Sequence, residues 1–308
     1  MSEWKTDSNV INRDWQFAPS VGTDDEIQLE TGMRSILIVL CGLIVGQTAP
    51  ASAGETPWQQ HLDMLQTRVV TTSADMTSDD GLPLLAWEAK LAPGWKTYWR
   101  SPGEAGLPVR LSQGGTDIEI LFPIPERFEL FGLETYGYSH AVMLPFRPLS
   151  VSDSGITVSA SFMVCKDICV PFDATYEVPA STLGADFSPH DIRVATWMKK
   201  VPVRDGDAGA GLAVDSVRVT GPVGRQRVVV DAHANAMLTS PDMLAEVNDM
   251  VHFGAPQAKI TGDGRSVRFV LAAITGKKPM DLRGEKIRLT FTDGHGNAIE
   301  RMLDLPAK

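Results

Sequence analysis

Phe162-Met163-Val164-Cys165-Lys166-Asp167-Ile168-Cys169-Val170-Pro171 is the stretch on which the reading of this chain turns. Its apolar and β-branched residues favour strand over helix. Pro171 argues against a helix running through both cysteines. If Lys166-Asp167-Ile168 is a three-residue turn, Cys165 and Cys169 face each other across the mouth of a hairpin. Directly opposed residues of an antiparallel pair have Cα atoms about 4.5–5.5 Å apart, and a disulfide spans about 4.4–6.8 Å. The spacing therefore lets the two sulfurs join and separate with little backbone movement.

On the residues alone, four uses of the pair stand: a redox-active couple, a structural staple, two reduced buried thiols, and a soft-metal site. A staple closing so short a loop contributes roughly 2 kcal/mol, near the low end of the usual range. A chain of 308 residues can bury a core without one. Met163, Cys165 and Cys169 together make a soft ligand set suited to Cu(I). Lys166 is a nearby cation that favours a thiolate, and Asp167 opposes it.

Outward from the hairpin, the first half reads as short strands separated by turn residues. They fall at 67–72, 82–91, 95–100, 108–112, 118–122, 141–149, 156–164 and 174–178, with turns at 79–81 and 93–94. A short lead-in helix is expected over 58–66. That spacing predicts an antiparallel sandwich. Residues 127–138 are aromatic yet punctuated by Gly132 and Gly137. They read as a loop, with its aromatics either folded back into the core or packed over something that needs cover.

Residues 181–211 shift to Ala, Gly, Asp and Pro, with a helical candidate at 189–200, and the domain boundary is placed there. Beyond it, strands are expected at 212–220, 226–234, 266–274, 286–292 and 298–305. A short helix is expected at 241–250 and a hairpin-like turn at 293–297. The fold class is all-β, with two antiparallel sandwiches in tandem over 54–188 and 189–308. The second half has no cysteine, and His233, His252 and His295 read as surface or turn residues.

Residues 1–53 read as an upstream extension plus a secretory signal peptide. Met33-Arg34 precedes the apolar run 36–45, and Ala51-Ser52-Ala53 forms a small-x-small cleavage pattern before Gly54. Translation is expected to begin at Met33, because residues 1–32 are too acidic for a leader. Cys41 would leave with the leader, so Cys165 and Cys169 are the thiols of the mature chain. The whole chain carries a net charge of −10; residues 1–53 hold three basic and seven acidic residues, leaving −6. Scattered Lys and Arg give no nucleic-acid footprint. No later apolar run is long enough to span a membrane. GxSxG, Walker A, HExxH and dinucleotide-binding glycine patterns are absent.

Three motifs in order resemble a known family: Gly94-Trp-Lys-Thr-Tyr-Trp-Arg-Ser-Pro-Gly-Glu-Ala-Gly106, Phe128-Glu-Leu-Phe-Gly-Leu-Glu-Thr-Tyr-Gly-Tyr138, and Val164-Cys-Lys-Asp-Ile-Cys-Val-Pro171. They look like the amino-terminal periplasmic domain of DsbD, the transmembrane thiol:disulfide interchange reductase. They are closer still to the related ScsB proteins linked to copper tolerance. The resemblance covers about residues 65–180. It implies an immunoglobulin-like sandwich, two of them in tandem if the ScsB pattern holds. It also implies a catalytic pair at Cys165 and Cys169, with Cys169 making mixed disulfides. A cap loop over the pair matches Glu129-Leu130-Phe131-Gly132, and Tyr98 matches an aromatic beside the site.

By the same resemblance the protein is a periplasmic thiol:disulfide oxidoreductase component without a cofactor. Its expected partners are a separate membrane electron donor and periplasmic thioredoxin-like proteins. The long-form family spaces its cysteines wider, and its transmembrane and thioredoxin-like parts have no match here. The alternative from another class is Cu(I) binding through Met163, Cys165 and Cys169.

Overall fold

The hairpin around the two cysteines is the spine of the first sandwich. The protein is described here by a computed structural model covering residues 54–204, 210–248, 250–276 and 279–307. The leader read over 1–53, with Met33 and Cys41, lies outside the described residues, as do positions 205–209 of the expected linker.

In chain order the first part forms β1 (Gln59–His61), β2 (Leu65–Thr71), β3 (Leu85–Leu91), β4 (Lys96–Gly103), β5 (Arg110–Gln113) and β6 (Thr116–Ile118). These are followed by β7 (Glu126–Leu130), β8 (Leu133–Ser139), β9 (Ala141–Phe146), β10 (Gly155–Cys165), β11 (Cys169–Pro179) and helix α1 (Asp191–Met198). One sheet runs β1-β2-β3-β9. The other runs β6-β5-β10-β4-β8-β7, with β11 also on β10. β10 shows why these residues make strand. Ile156, Val158, Ala160, Phe162 and Val164 alternate inward to the core, while Thr157, Ser159 and Ser161 face out. Trp87, Phe146 and Tyr176 fill the space between the sheets. Burying side chains of this size stabilises by about 1.5–3 kcal/mol each.

The second part forms β12 (Val203–Arg204), β13 (Leu212–Thr220), β14 (Arg227–Ala234), β15 (Asp242–Glu246) and β16 (Val251–Phe253). It continues with β17 (Gln257–Thr261), β18 (Ser266–Thr275), β19 (Lys286–Thr292) and β20 (Ala298–Asp304). These make sheets β12-β20-β19-β15 and β13-β14-β18-β16, with β17 also on β18. Their core holds Val228, Val230, Phe269, Leu271, Leu289 and Phe291. The two-residue contact of β12 with β20 is parallel; the other named strand pairs are antiparallel. Both parts are therefore antiparallel sandwiches.

Three expected elements differ. The stretch 58–66 is not helix: Gln59 pairs with Thr67, and the chain reverses at Leu62, whose φ is 50°. The stretch 241–250 is not helix either, because β15 serves two cores. Met243 is buried in the second core and Leu244 in the first, and adjacent residues face opposite ways only in a strand. The stretch 127–138 is a hairpin, not a loop, with Leu130 opposite Leu133 across a turn at Phe131-Gly132. Its aromatics divide between both expected uses. Tyr136 and Tyr138 lie in the core, and Phe128 packs at the cysteines.

Helix α1 packs on the first sandwich, burying Val194 against Val70, Leu84, Ala86 and Met143. A charge cluster ties it down. Buried Glu88 accepts from Arg68 Nε at 2.8 Å and from Arg193 of the helix. Among the described residues no helix is long and apolar enough to cross a membrane.

Candidate functional site

β10 ends at Cys165 and β11 begins at Cys169, and the two are direct partners in the ladder. Lys166 N donates to Ile168 O at 3.0 Å, which closes the three-residue turn. The sulfurs are joined in a disulfide, with Cα atoms 4.1 Å apart. Strand alternation puts both cysteines on the outward face of the sheet, because Val164 points into the core. The disulfide thus sits outside the core, on the opposite side of the sheet.

The two sulfurs are not equivalent. Cys165 is 0% exposed, whereas Cys169 is exposed. Cys165 is buried in a small satellite cluster with Tyr98 and Leu130, against which Phe128 and Met163 also pack. β4 supplies Tyr98, and its Lys96 is the ladder partner of Cys165. Lys96 Nζ sits 4.9 Å from the centre of the Phe128 ring. Tyr98 Oη lies 3.9 Å from Cys169 Sγ. Burial pushes the Tyr98 hydroxyl up to about 12, so it stays a protonated donor beside that sulfur at neutral pH.

Two glycines let this corner close. A Cβ on Gly106 would lie 2.3 Å from the Tyr98 ring, and one on Gly137 would lie 1.9 Å from Thr97 O. Gly137 is thus required for close approach of β8 to β4. The sequence alone gave it the look of a loop break.

The expected cap residues are placed unevenly. Leu130 is buried against Tyr98 and Cys165. Phe131 is not part of that buried cluster; it is 63% exposed at the hairpin tip, with φ 56°. Left-handed backbone angles are uncommon for a bulky side chain. Gly132, φ 79°, completes the turn, and Glu129 is exposed on β7. Sequence reasoning missed Phe128 as the aromatic at the site. The alternation Phe128-x-Leu130 on one hairpin face was the available signal. Met163 is two residues before Cys165 on the same face and joins the same cluster. Among the described residues no group of three or more His, Cys, Asp or Glu is arranged to hold a metal ion.

A β-sandwich with a closed cysteine pair on its outer sheet face is the frame of a known class. Residues 65–180 match the family model described as "Thiol:disulfide interchange protein DsbD, N-terminal". The match is confined to that segment of the chain. Residues 200–307 match a second family, described as a domain of unknown function. Among solved structures, the chain is similar to the N-terminal periplasmic domain of ScsB from Proteus mirabilis. The two share 22% identity with a TM-score of 0.65, over 83% of this chain and 99% of that one. This likeness shows that the tandem immunoglobulin-like fold is shared. No curated protein matches the chain.

Proposed function

We propose that this protein is a periplasmic thiol:disulfide exchange protein. Its Cys165–Cys169 pair relays electrons between a separate membrane donor and thioredoxin-like proteins. The observation that carries this reading is the asymmetry of the pair: Cys169 is exposed and Cys165 is 0% exposed. Exchange runs through a thiolate attacking one sulfur of a disulfide, with the other sulfur leaving. In the reducing direction a donor thiolate attacks Cys169 Sγ and the S–S bond breaks toward Cys165, which leaves as thiolate and takes a proton. The donor's second thiolate then attacks its own sulfur in the mixed disulfide and releases Cys169. Two electrons enter the pair, and the donor leaves as a disulfide. Transfer to an oxidised partner reverses these steps.

Tyr98 Oη, held protonated beside Cys169, supplies a hydrogen-bond donor to the thiolate formed there. Leu130 and Phe128 shield Cys165 from small thiols, which a reduced pair needs in an oxidising compartment. The hairpin tip, Glu129 to Gly132, acts as the cap, and its exposed Phe131 is the part that a docking protein meets first.

Cys165→Ala, added to periplasmic extract, is expected to trap thioredoxin-like proteins on Cys169 as dithiothreitol-sensitive adducts. Cys169→Ala is expected to trap none. Equal trapping by both variants, or by neither, would refute the assignment of roles.

A second reading has one observation in its favour. Met163 shares the face and cluster of Cys165, and one thioether with the two thiolates of the reduced pair is a ligand set suited to Cu(I). Stoichiometric Cu(I) binding by the reduced protein, weakened by Met163→Leu, would support it. Unchanged binding in that variant would remove Met163 from the site.

A further inference from the structure

The β7–β8 hairpin has two faces, as strand alternation requires. Phe128 and Leu130 are on the face turned to Cys165 and Tyr98. Arg127 and Tyr136 are on the other, directly opposed in the ladder, with the guanidinium carbon 4.8 Å from the ring centre.

That second face is tied to the second sandwich. Arg127 Nε and Nη2 donate to both carboxylate oxygens of Asp242, at 2.7 and 3.0 Å. Nη2 also donates to Met243 O at 2.9 Å. Glu134, paired with Arg127 Nη1, accepts from Ala255 N at 3.0 Å. Tyr136 Oη lies 2.8 Å from Phe253 O. Burial opposes charge on Arg127, but the hydrogen bonds and charge of Asp242, with Glu134, hold its guanidinium above the ordinary range.

β15 is built for this contact. Asp242, Leu244 and Glu246 alternate onto one face: Asp242 takes Arg127, Leu244 enters the first core, and Glu246 takes Arg100 of β4. Arg100 is two residues beyond Tyr98, so both strands that cover Cys165 are anchored to the same partner strand.

We infer that the cysteine-free sandwich positions the hairpin over the sulfur pair, with Arg127 as the positioning residue through which it sets access to Cys165. A hairpin clamped on its far face opens less often, and access to a covered group follows the population of the open form. The inference rests on the exchange reading for its purpose. Its test reads access alone, so it stands or falls whether or not the pair exchanges with a protein.

The full chain is reduced and treated with a neutral alkylating reagent, and the Cys165 and Cys169 peptides are followed separately. In the parent, Cys169 labels first and Cys165 slowly. Arg127→Ala should speed labelling of Cys165 about fivefold, the scale of losing one modest stabilising interaction, and leave Cys169 unchanged. Asp242→Ala should do the same, and the double variant no more than either alone. The exchanged pair Arg127→Asp with Asp242→Arg should move the rate back toward the parent. Phe269→Leu, inside the second core and away from the hairpin, controls for general loosening. The inference is overturned by a parental Cys165 rate in Arg127→Ala, or by equal acceleration in Phe269→Leu. If Arg127→Ala does not fold, Arg127→Lys and Asp242→Asn carry the same comparison.

Discussion

In the first sandwich the buried polar side chains include Arg68, Glu88, His61, Thr97 and Thr135; in the second, those among the described residues are Gln226, Thr290 and Asp293. The outer sheet faces differ as well. On the first, the β7–β8 hairpin covers Cys165 and makes a second small cluster outside the core. On the second, β14 presents Asp231 to Arg218, Arg268 and Ser216 at a partly exposed surface. The lesson is that this plan supplies one apolar core per sandwich and leaves an outer sheet face for other uses. One half places a disulfide there, with Cys165 under a cover; the other places charge, and offers its β15 edge as a support.

The contrast in buried charge gives the largest expected effect. Glu88 is 1% exposed and joins strand β3 to Arg68 and to Arg193 of the helix. Breaking a buried pair by removing one partner costs about 3–5 kcal/mol. Arg68 keeps Glu55, so Glu88→Gln should cost about 3 kcal/mol in chemical denaturation, at the low end of that range. A loss below about 1 kcal/mol would put the cluster with solvated surface pairs and erase the contrast.

A smaller effect sharpens the difference between core and site. Gly106→Ala forces a methyl onto the Tyr98 ring at a φ of 103°. Overpacking of this kind costs about 1–3 kcal/mol. The loss should come with a changed alkylation rate at Cys169, whose sulfur faces Tyr98 Oη. A stability loss with both cysteine rates unchanged would separate Tyr98 from the sulfur chemistry.

The smallest effect belongs to the second sandwich. The hydrogen bond from Arg268, with those from Arg218 and Ser216, outweighs burial and lowers the Asp231 carboxyl to about 2. A depressed carboxylate stabilises the fold above its unfolded value, about 3.9, and loses that contribution as pH falls through the folded value. Asp231→Asn should therefore cost about 1 kcal/mol at neutral pH once solvent screening is allowed for. The difference from the parent should vanish as pH falls from about 4 to about 2. A difference that does not depend on pH would mean that shape, rather than charge, sets the effect.

Much of this was legible in the chain. Alternation through 156–164 and the three-residue spacing of the cysteines were enough for the β10–β11 hairpin and its facing sulfurs. The β7–β8 hairpin was harder to see, because Phe131 stands where a two-residue turn usually has Asn, Asp or Gly. β15 was not legible at all. Met243 and Leu244 look like two neighbours in an amphipathic helix until their cores are known to lie on opposite sides. The clamp was hidden for a similar reason. Arg127 and Asp242 are 115 positions apart, and nothing local to either says that the other faces it.

The central claim is that Cys165 and Cys169 form an exchange couple rather than a staple. Equilibrating the protein against graded dithiol and glutathione buffers and counting free thiols tests it most directly. One reversible two-electron transition is predicted, within the range of about −270 to −120 mV spanned by dedicated thiol:disulfide proteins. A pair still oxidised at potentials below about −300 mV, where structural disulfides lie, would contradict the account.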